Sequence, residues 1–400
     1  MIGHAVRKAA PGADPGITGK ALCCVDPFVF AAARAGRLRE APATSRRENQ
    51  IERRGGPRRT LVGGAGKTAP RKRTRGVRGD LFPRLRFVLP QPARIKPAGR
   101  AGIVAGLMLG LALAAAAPAS AALNVFACEP EWAALAVELG GGAVEAFSAT
   151  TGRQDPHQIQ ARPSLIARMH RADLVVCTGA ELEIGWLPIL LRQSANGKVQ
   201  PGAPGYFEAS QAVTLLDVPA SVDRAQGDVH AQGNPHLHLD PRNIAQVAAA
   251  LAARLAELDP ERAGLYRARL QDFARRWAAA IARWEARAAP LKRLPVVIHH
   301  KDWTYLIAWL GMRQAGLLEP KPGVPPSTSH LDALMARLKA QPARMVIRSA
   351  YQDDRPARYV ADRAGIPEVV LPYTVGGDQE ATDLFALFDD TLNRLLVGVK

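Results

Sequence analysis

The sequence predicts an α/β protein of two lobes, each a mostly parallel sheet covered by helices, with one long spine helix joining them. Three observations carry this. Short apolar segments alternate with helical patterns through residues 122–400, the order that builds parallel sheets covered on both faces. The alternation occurs twice, in blocks of similar length. Between the blocks lies the most periodic segment of the chain, where Tyr266, Leu270, Phe273, Trp277, Ile281 and Trp284 recur at helical spacing.

In chain order, Leu123–Cys128 reads as a strand and Glu131–Leu139 as a helix stopped by the glycines at 140–142. Ala143–Ala149 and Asp173–Gly179 read as strands, Leu182–Arg192 and Arg242–Glu257 as helices, with a Pro/Gly-rich loop at 201–205. In the second block Val296–Ile298, Met345–Ile347 and Glu368–Leu371 are strands. The helices there end at Trp309 or span Leu331–Ala340, Arg355–Ala364 and Ala381–Leu396. The spine lies between Asp259-Pro260 and Pro290 and runs for about 28 residues, or about 42 Å at 1.5 Å per residue. The expected divisions are a first lobe at 122–260, the spine at 261–290 and a second lobe at 291–400. Two lobes packed on one helix should move little against each other. Local motion is then expected in the loops at 226–234 and 374–379.

The net charge of +17 is confined to one end. Residues 1–121 hold 23 Lys and Arg against 6 Asp and Glu, whereas residues 122–400 hold 30 of each. A nucleic-acid partner for the main body is therefore not expected. Residues 1–95 carry basic clusters among Gly, Pro, Ala and Thr with no hydrophobic period, a composition that cannot offset the entropy of ordering. Residues 96–121 then show a positive flank, an apolar run from Ala101 to Ala117 and the small residues Ala119-Ser120-Ala121. That is a secretory signal peptide, and the run is short for a membrane span. Export signals work at an N-terminus, so the start is expected downstream of residue 1, with Val88 a candidate, and the exported chain should begin at Ala122. No Cys stands at that junction to take a lipid. Cys128 and Cys177 each close a predicted strand. In an oxidising compartment they either pair or stay as two small buried hydrophobes.

Eight of the nine histidines lie beyond residue 121. Three occupy distinctive loops. His157 follows Asp155-Pro156, His236 follows Asn234-Pro235, and His300 ends the first strand of the second lobe. Ligands of open α/β sheets bind outside the carboxyl ends of strands. Histidines converging there from separate elements suit Zn²⁺, which takes three or four N, S or O donors. Two other classes are weighed. A zinc hydrolase would need a general base beside the metal, with Glu131 and Asp378 as candidates. An adhesion module would need an exposed apolar patch, yet Trp186, Trp277, Trp284 and Trp309 all fall on faces that read as core.

The segments QDPHQIQARPSLIARMHRADLVVCTGAELEIGWL, GNPHLHLDPRN, HHKDWTYLIAWLG and EPKPGVPPS carry a resemblance. They are similar to signature segments of the zinc-binding proteins that serve metal-uptake ABC transporters, a family that includes streptococcal manganese- and zinc-binding lipoproteins. The resemblance implies a metal in the cleft between the lobes, held by His157, His236 and His300, with His238 and His299 as neighbours. It implies an extracytoplasmic monomer with no enzymatic activity. That protein would capture Zn²⁺ and deliver it to a membrane permease and its cytoplasmic ATPase, with a periplasmic metal chaperone as a further partner. Two departures stand out. Where the family supplies a carboxylate from the last strand of the second lobe, this chain reads Leu371-Pro-Tyr-Thr-Val-Gly-Gly-Asp378, leaving Asp378 or water for the fourth position. The metal-collecting loop is reduced to Asp223–His230, with Asp228 and His230. Three imidazoles and at most one carboxylate favour Zn²⁺ over Mn²⁺.

Overall fold

The structure, a computed structural model, describes residues 121–221, 227 and 230–399. The basic extension, the export segment up to residue 120 and Asp228 lie outside the described residues. The first sheet is parallel throughout, in the order β2-β1-β3-β4, from β1 (Leu123–Ala127), β2 (Val144–Ser148), β3 (Leu174–Cys177) and β4 (Tyr206–Glu208). The second has the matching order β6-β5-β7-β8, from β5 (Pro295–Ile298), β6 (Arg313–Leu317), β7 (Met345–Ser349) and β8 (Glu368–Leu371). The central strands β3 and β7 are buried along their whole length, which is why β3 and the first three residues of β7 read as unbroken apolar runs rather than alternations.

The first lobe is covered by α1 (Pro130–Gly140), α2 (Pro163–Arg171), α3 (Leu187–Ser194) and α4 (Pro241–Leu258). Each of the four carries Pro in its first two positions, where the missing N–H is no loss and the fixed φ favours helix. In the second lobe α6 (Thr304–Leu310), α7 (Thr328–Ala340), α8 (Asp354–Ala364) and α9 (Leu384–Val399) play the same part. No helix of the described residues is long and apolar enough to cross a membrane.

One expected element is displaced. The helix read from Leu182 starts only at Leu187. The preceding residues Gly179, Ala180 and Glu181 all have positive φ, at 76°, 50° and 67°. The buried Glu183 carboxylate holds this turn by accepting the backbone N–H groups of Thr178 at 2.8 Å and Gly179 at 3.1 Å. Side-chain capture of backbone donors has outcompeted the helix. At the base of the same turn, Cys128 and Cys177 form a disulfide with their Cα atoms 4.8 Å apart, which resolves the alternative the sequence left open.

The spine, α5 (Ala263–Arg287), has 25 residues and is about 37 Å long. Tyr266, Phe273, Trp277, Ala280 and Trp284 are its buried face. These residues belong to one continuous hydrophobic cluster that takes in Val125 and Trp132 of the first lobe and Val296, Trp309 and Phe388 of the second. Trp277 donates its indole N–H to Pro241 O at the start of α4, 2.7 Å away. Trp284 donates to Asp389 Oδ1 in α9 at 3.0 Å, and the two indoles meet edge to face at 5.1 Å. One helix thus anchors an aromatic in each half. A close backbone approach adds to this: a Cβ on Gly152, in the loop after β2, would stand 2.3 Å from Gly377 N in the 374–379 turn. That turn is further tied by the Gly376 N–H to Ala381 O bond at 2.7 Å.

Two outcomes follow from this core. Trp277→Ala, which empties a fully buried indole site, should cost about 3–5 kcal/mol in chemical denaturation. X-ray scattering profiles of metal-free and metal-loaded protein should nearly superimpose, because rotation of the lobes would pull the Trp277 and Trp284 rings from their contacts. A clear fall in radius of gyration on loading would show that the spine does not fix the lobes.

Candidate metal centre

His157, His236 and His300 converge at the carboxyl ends of the two sheets. One ligand atom from each lies within 4.8 Å of the other two. Their ring centroids are 5.3, 5.5 and 5.8 Å apart and all three pairs meet edge-on. Rings in this arrangement point at a common centre instead of stacking.

Each ring is aimed by a partner on its Nδ1. His157 sits in the loop between β2 and α2, where Asp155 Oδ1 lies 2.8 Å from Nδ1 and also accepts the His157 backbone N–H at 3.0 Å. The loop is fixed from below by Trp186, whose indole donates to Pro156 O at 2.9 Å. His236 follows Pro235, its N–H bonded to Asn234 Oδ1 at 3.0 Å and its Nδ1 2.6 Å from the Tyr373 hydroxyl. Asn234 reaches the other lobe, donating to Lys301 O at 2.8 Å, while Tyr305 donates to Asn234 O at 2.8 Å. His300 follows β5 with its Nδ1 2.7 Å from Glu319 Oε2. With every Nδ1 engaged, the three Nε2 atoms are the free donors, the pattern of outer groups that orient metal-binding imidazoles and set their tautomer. The His157 Nε2 is buried with no hydrogen-bond partner.

The electrostatics separate the rings. Burial pushes the His236 pKa well below its ordinary value, and the neighbouring His157 and His300 push it further. Burial alone would lower His300 too, but the Glu319 hydrogen bond with the charges of Asp302, Glu319 and Asp155 raises its pKa overall. Burial opposes ionisation of Asp155, yet its bonds to His157 outweigh this and lower its pKa. Burial keeps the Tyr373 phenol well above its usual range, so it meets His236 uncharged.

A cavity of about 520 Å³ opens beside the cluster, lined by His236, His300, Lys301 and Asp217, and also by His230. His230 was not among the expected ligands. Its ring centroid is 5.3 Å from that of His157 and its Nε2 is buried without a partner. Burial, then the charges of His157 and His300, drive its pKa down to about 3. Its position six residues before His236 was the available sequence signal.

Asp378 does not join the centre. Its carboxylate pairs with Arg394 at 2.9 Å and accepts the N–H of Ala381 at 2.8 Å, so it stabilises its own turn and the Arg394 side chain. His238 is fully buried behind the site, 3.2 Å from Glu131 Oε1 and 2.9 Å from Tyr373 O. Glu131 is likewise fully buried and bonded to Thr374. Both carboxylates that a hydrolase would have used as a base are therefore committed elsewhere. The outer partners Tyr373 and Glu319 fall in segments that stood out in the sequence, but nothing there tied them to the rings they hold, which lie 137 and 19 residues away.

Residues 125–397 match the family described as zinc-uptake complex component A, periplasmic. The metal ABC transporter substrate-binding lipoprotein SloC of Streptococcus mutans serotype c is 23% identical over 257 residues, 63% of this chain and 81% of that protein. The manganese ABC transporter substrate-binding lipoprotein PsaA of Streptococcus anginosus is 21% identical over 282 residues, 69% and 89% of the two chains. The high-affinity zinc uptake system protein ZnuA of Brucella abortus is 26% identical over 127 residues, 32% of this chain and 38% of that one. A crystal structure of ZnuA superimposes with a TM-score of 0.59 at 21% identity, covering 70% of this chain and 100% of that one. A Cd-bound periplasmic metal-binding protein from Candidatus Liberibacter asiaticus gives 0.57 at 17% identity, covering 69% and 99%. The relatives are named as substrate-binding or uptake components of metal transport, and they include zinc and manganese members. The chain belongs to the family of substrate-binding proteins of metal-uptake ABC transporters.

Proposed function

We propose that this protein captures Zn²⁺ in the periplasm through His157, His236 and His300 and delivers it, as a monomer, to an ABC permease. The observation that supports zinc over manganese is the donor set. Three imidazole Nε2 atoms face the centre and no carboxylate does, because Asp155 and Glu319 are turned to Nδ1 atoms and Asp378 to Arg394. Imidazole nitrogen suits zinc, whereas manganese prefers more oxygen. His230 supplies the fourth nitrogen. Its ring lies outside the 4.8 Å group and moves inward on loading, which would complete a tetrahedron. The captured ion is cargo, so a site built of neutral donors that carry no net charge of their own suits release as well as capture.

Zinc titration of the single Ala variants tests the ligands. His157→Ala, His236→Ala and His300→Ala should each weaken binding beyond the roughly 10–100-fold typical of losing an outer-shell partner. His230→Ala should lose less, and wild type should prefer zinc to manganese in direct competition. Unchanged affinity in all three ligand variants would sink the assignment, and a preference for manganese would sink the zinc reading.

Affinity should also fall with pH in a defined order. Metal needs neutral imidazoles, so each proton bound competes with it. Of the two shifted rings, His300 has the raised pKa and charges at higher pH, whereas His236 stays neutral to much lower pH. The loss should therefore begin above the ordinary histidine range and shift to lower pH in Glu319→Gln, which removes the charge that raises His300. Isothermal titration over a pH series measures this.

A further inference from the structure

Side chains alternate along a strand, so the two adjacent histidines that follow β5 face opposite ways. His300 joins the three-histidine centre. His299 turns toward the face covered by α7 and α8, where it is 5% exposed and its Nδ1 is buried without a hydrogen-bond partner. Its Nε2 stands 3.9 Å from Glu319 Oε1. That is too long for a hydrogen bond. An ion between them would draw the two atoms to about 3.4 Å, since zinc binds nitrogen and carboxylate oxygen at about 2.0–2.2 Å each in a tetrahedron, a closing movement of about half an ångström. The other Glu319 oxygen holds His300 Nδ1 and accepts the Gly323 N–H at 3.0 Å, so Oε1 is the atom left for a second task.

The surroundings suit a cation in transit. Two cavities are lined in common by His299, Glu319, Gly323 and Asp353. One, of about 480 Å³, extends along the N-terminal ends of α7 and α8 past Thr328 and Tyr359. The other, of about 200 Å³, reaches Asp155, His157 and His300. Around His299 the carboxylates of Glu319 and Asp353 face the charges of His300 and Arg348. Asp353 is held by Arg355, which leaves two protein donors for an ion.

We propose that His299 and Glu319 form a second, weaker site for a divalent cation, a holding position beside the three-histidine centre through which the ion passes on loading and release. Two protein donors, with water in the remaining positions, make a site that exchanges quickly. Its role in transfer rests on the three-histidine reading. Its capacity to bind an ion does not, and the two are scored separately.

The test is equilibrium dialysis of the full chain against Zn²⁺ alone, with a chelator competition for the tight site. Wild type should bind two ions per chain, the second at least tenfold more weakly. His299→Ala and His299→Gln should bind one, with tight affinity unchanged, and should release it to chelator at least threefold more slowly. The Gln variant keeps a polar side chain of similar reach, so it decides the matter if the Ala variant loses its folded circular dichroism. His236→Ala should lose the tight ion and keep the weak one. One ion per wild-type chain at concentrations that fill weak sites, or two ions in the His299→Gln variant, would overturn the second site. A tight ion retained by His236→Ala would instead overturn the three-histidine centre and leave the His299 result standing on its own.

Discussion

Three imidazoles from loops that belong to two different sheets must meet within 4.8 Å, and everything else in the molecule bears on that constraint. No single element supplies two of the rings, so their separation is set by how the lobes pack. The spine α5 does the fixing, because Trp277 is bonded to the start of α4 and Trp284 to α9. The His236 loop begins just before α4, so the same indole that closes the core also locates a ring of the site. Interiors packed at crystal-like density do not deform smoothly, and a site that spans two lobes gains its precision from that stiffness.

A second layer acts on orientation. The three outer partners are two carboxylates and one neutral phenol. A carboxylate on Nδ1 makes an imidazole a stronger donor and keeps its Nε2 deprotonated and free. Tyr373 does the same job for His236 without adding charge, and it does so from the opposite lobe. Its backbone O also takes His238, so one residue after β8 holds two side chains of the first lobe. The centre is thus cross-braced by hydrogen bonds as well as by apolar packing.

Much of this was legible in the sequence because it rests on local pattern. Apolar runs such as Leu174–Cys177 and the aromatic stripe of α5 declare strands and a long helix through periodicity alone. The three candidate ligands stood out locally as Pro-His steps and a strand-end His, and their assignment to one metal came from the resemblance of the segments around them. What was not legible depends on contacts between distant residues. Glu183 turned an expected helix start into a left-handed turn by capturing two backbone N–H groups. Asp378 was left open, with water, for the fourth position because it lies in the right loop, but Arg394 on the following helix claims it. The strands β4 and β6 carry too few apolar residues to announce themselves and exist because β3 and β5 offer them an edge.

The arrangement of charge around the rings has a consequence for cargo that must be given up. A site that surrounded a divalent cation with carboxylates would bind it through charge as well as coordination, and burial would amplify that attraction. Here the negative groups stand one bond removed, behind the imidazoles, and the atoms that face the centre are neutral nitrogens. Binding strength then depends on the geometry of three or four soft contacts. Small displacements of a loop weaken it more than they would weaken a charge pair, since coordination falls off within tenths of an ångström and Coulomb attraction does not. If the three imidazoles hold the cargo as proposed, a stiff frame carrying a neutral donor set reconciles tight capture with release by local movement. On the proposed reading His230 is the group placed to make that movement, because it lines the open cavity and lies outside the 4.8 Å group, while the Ala231 N–H donated to the Glu181 carboxylate at 2.7 Å fixes the backbone beside it.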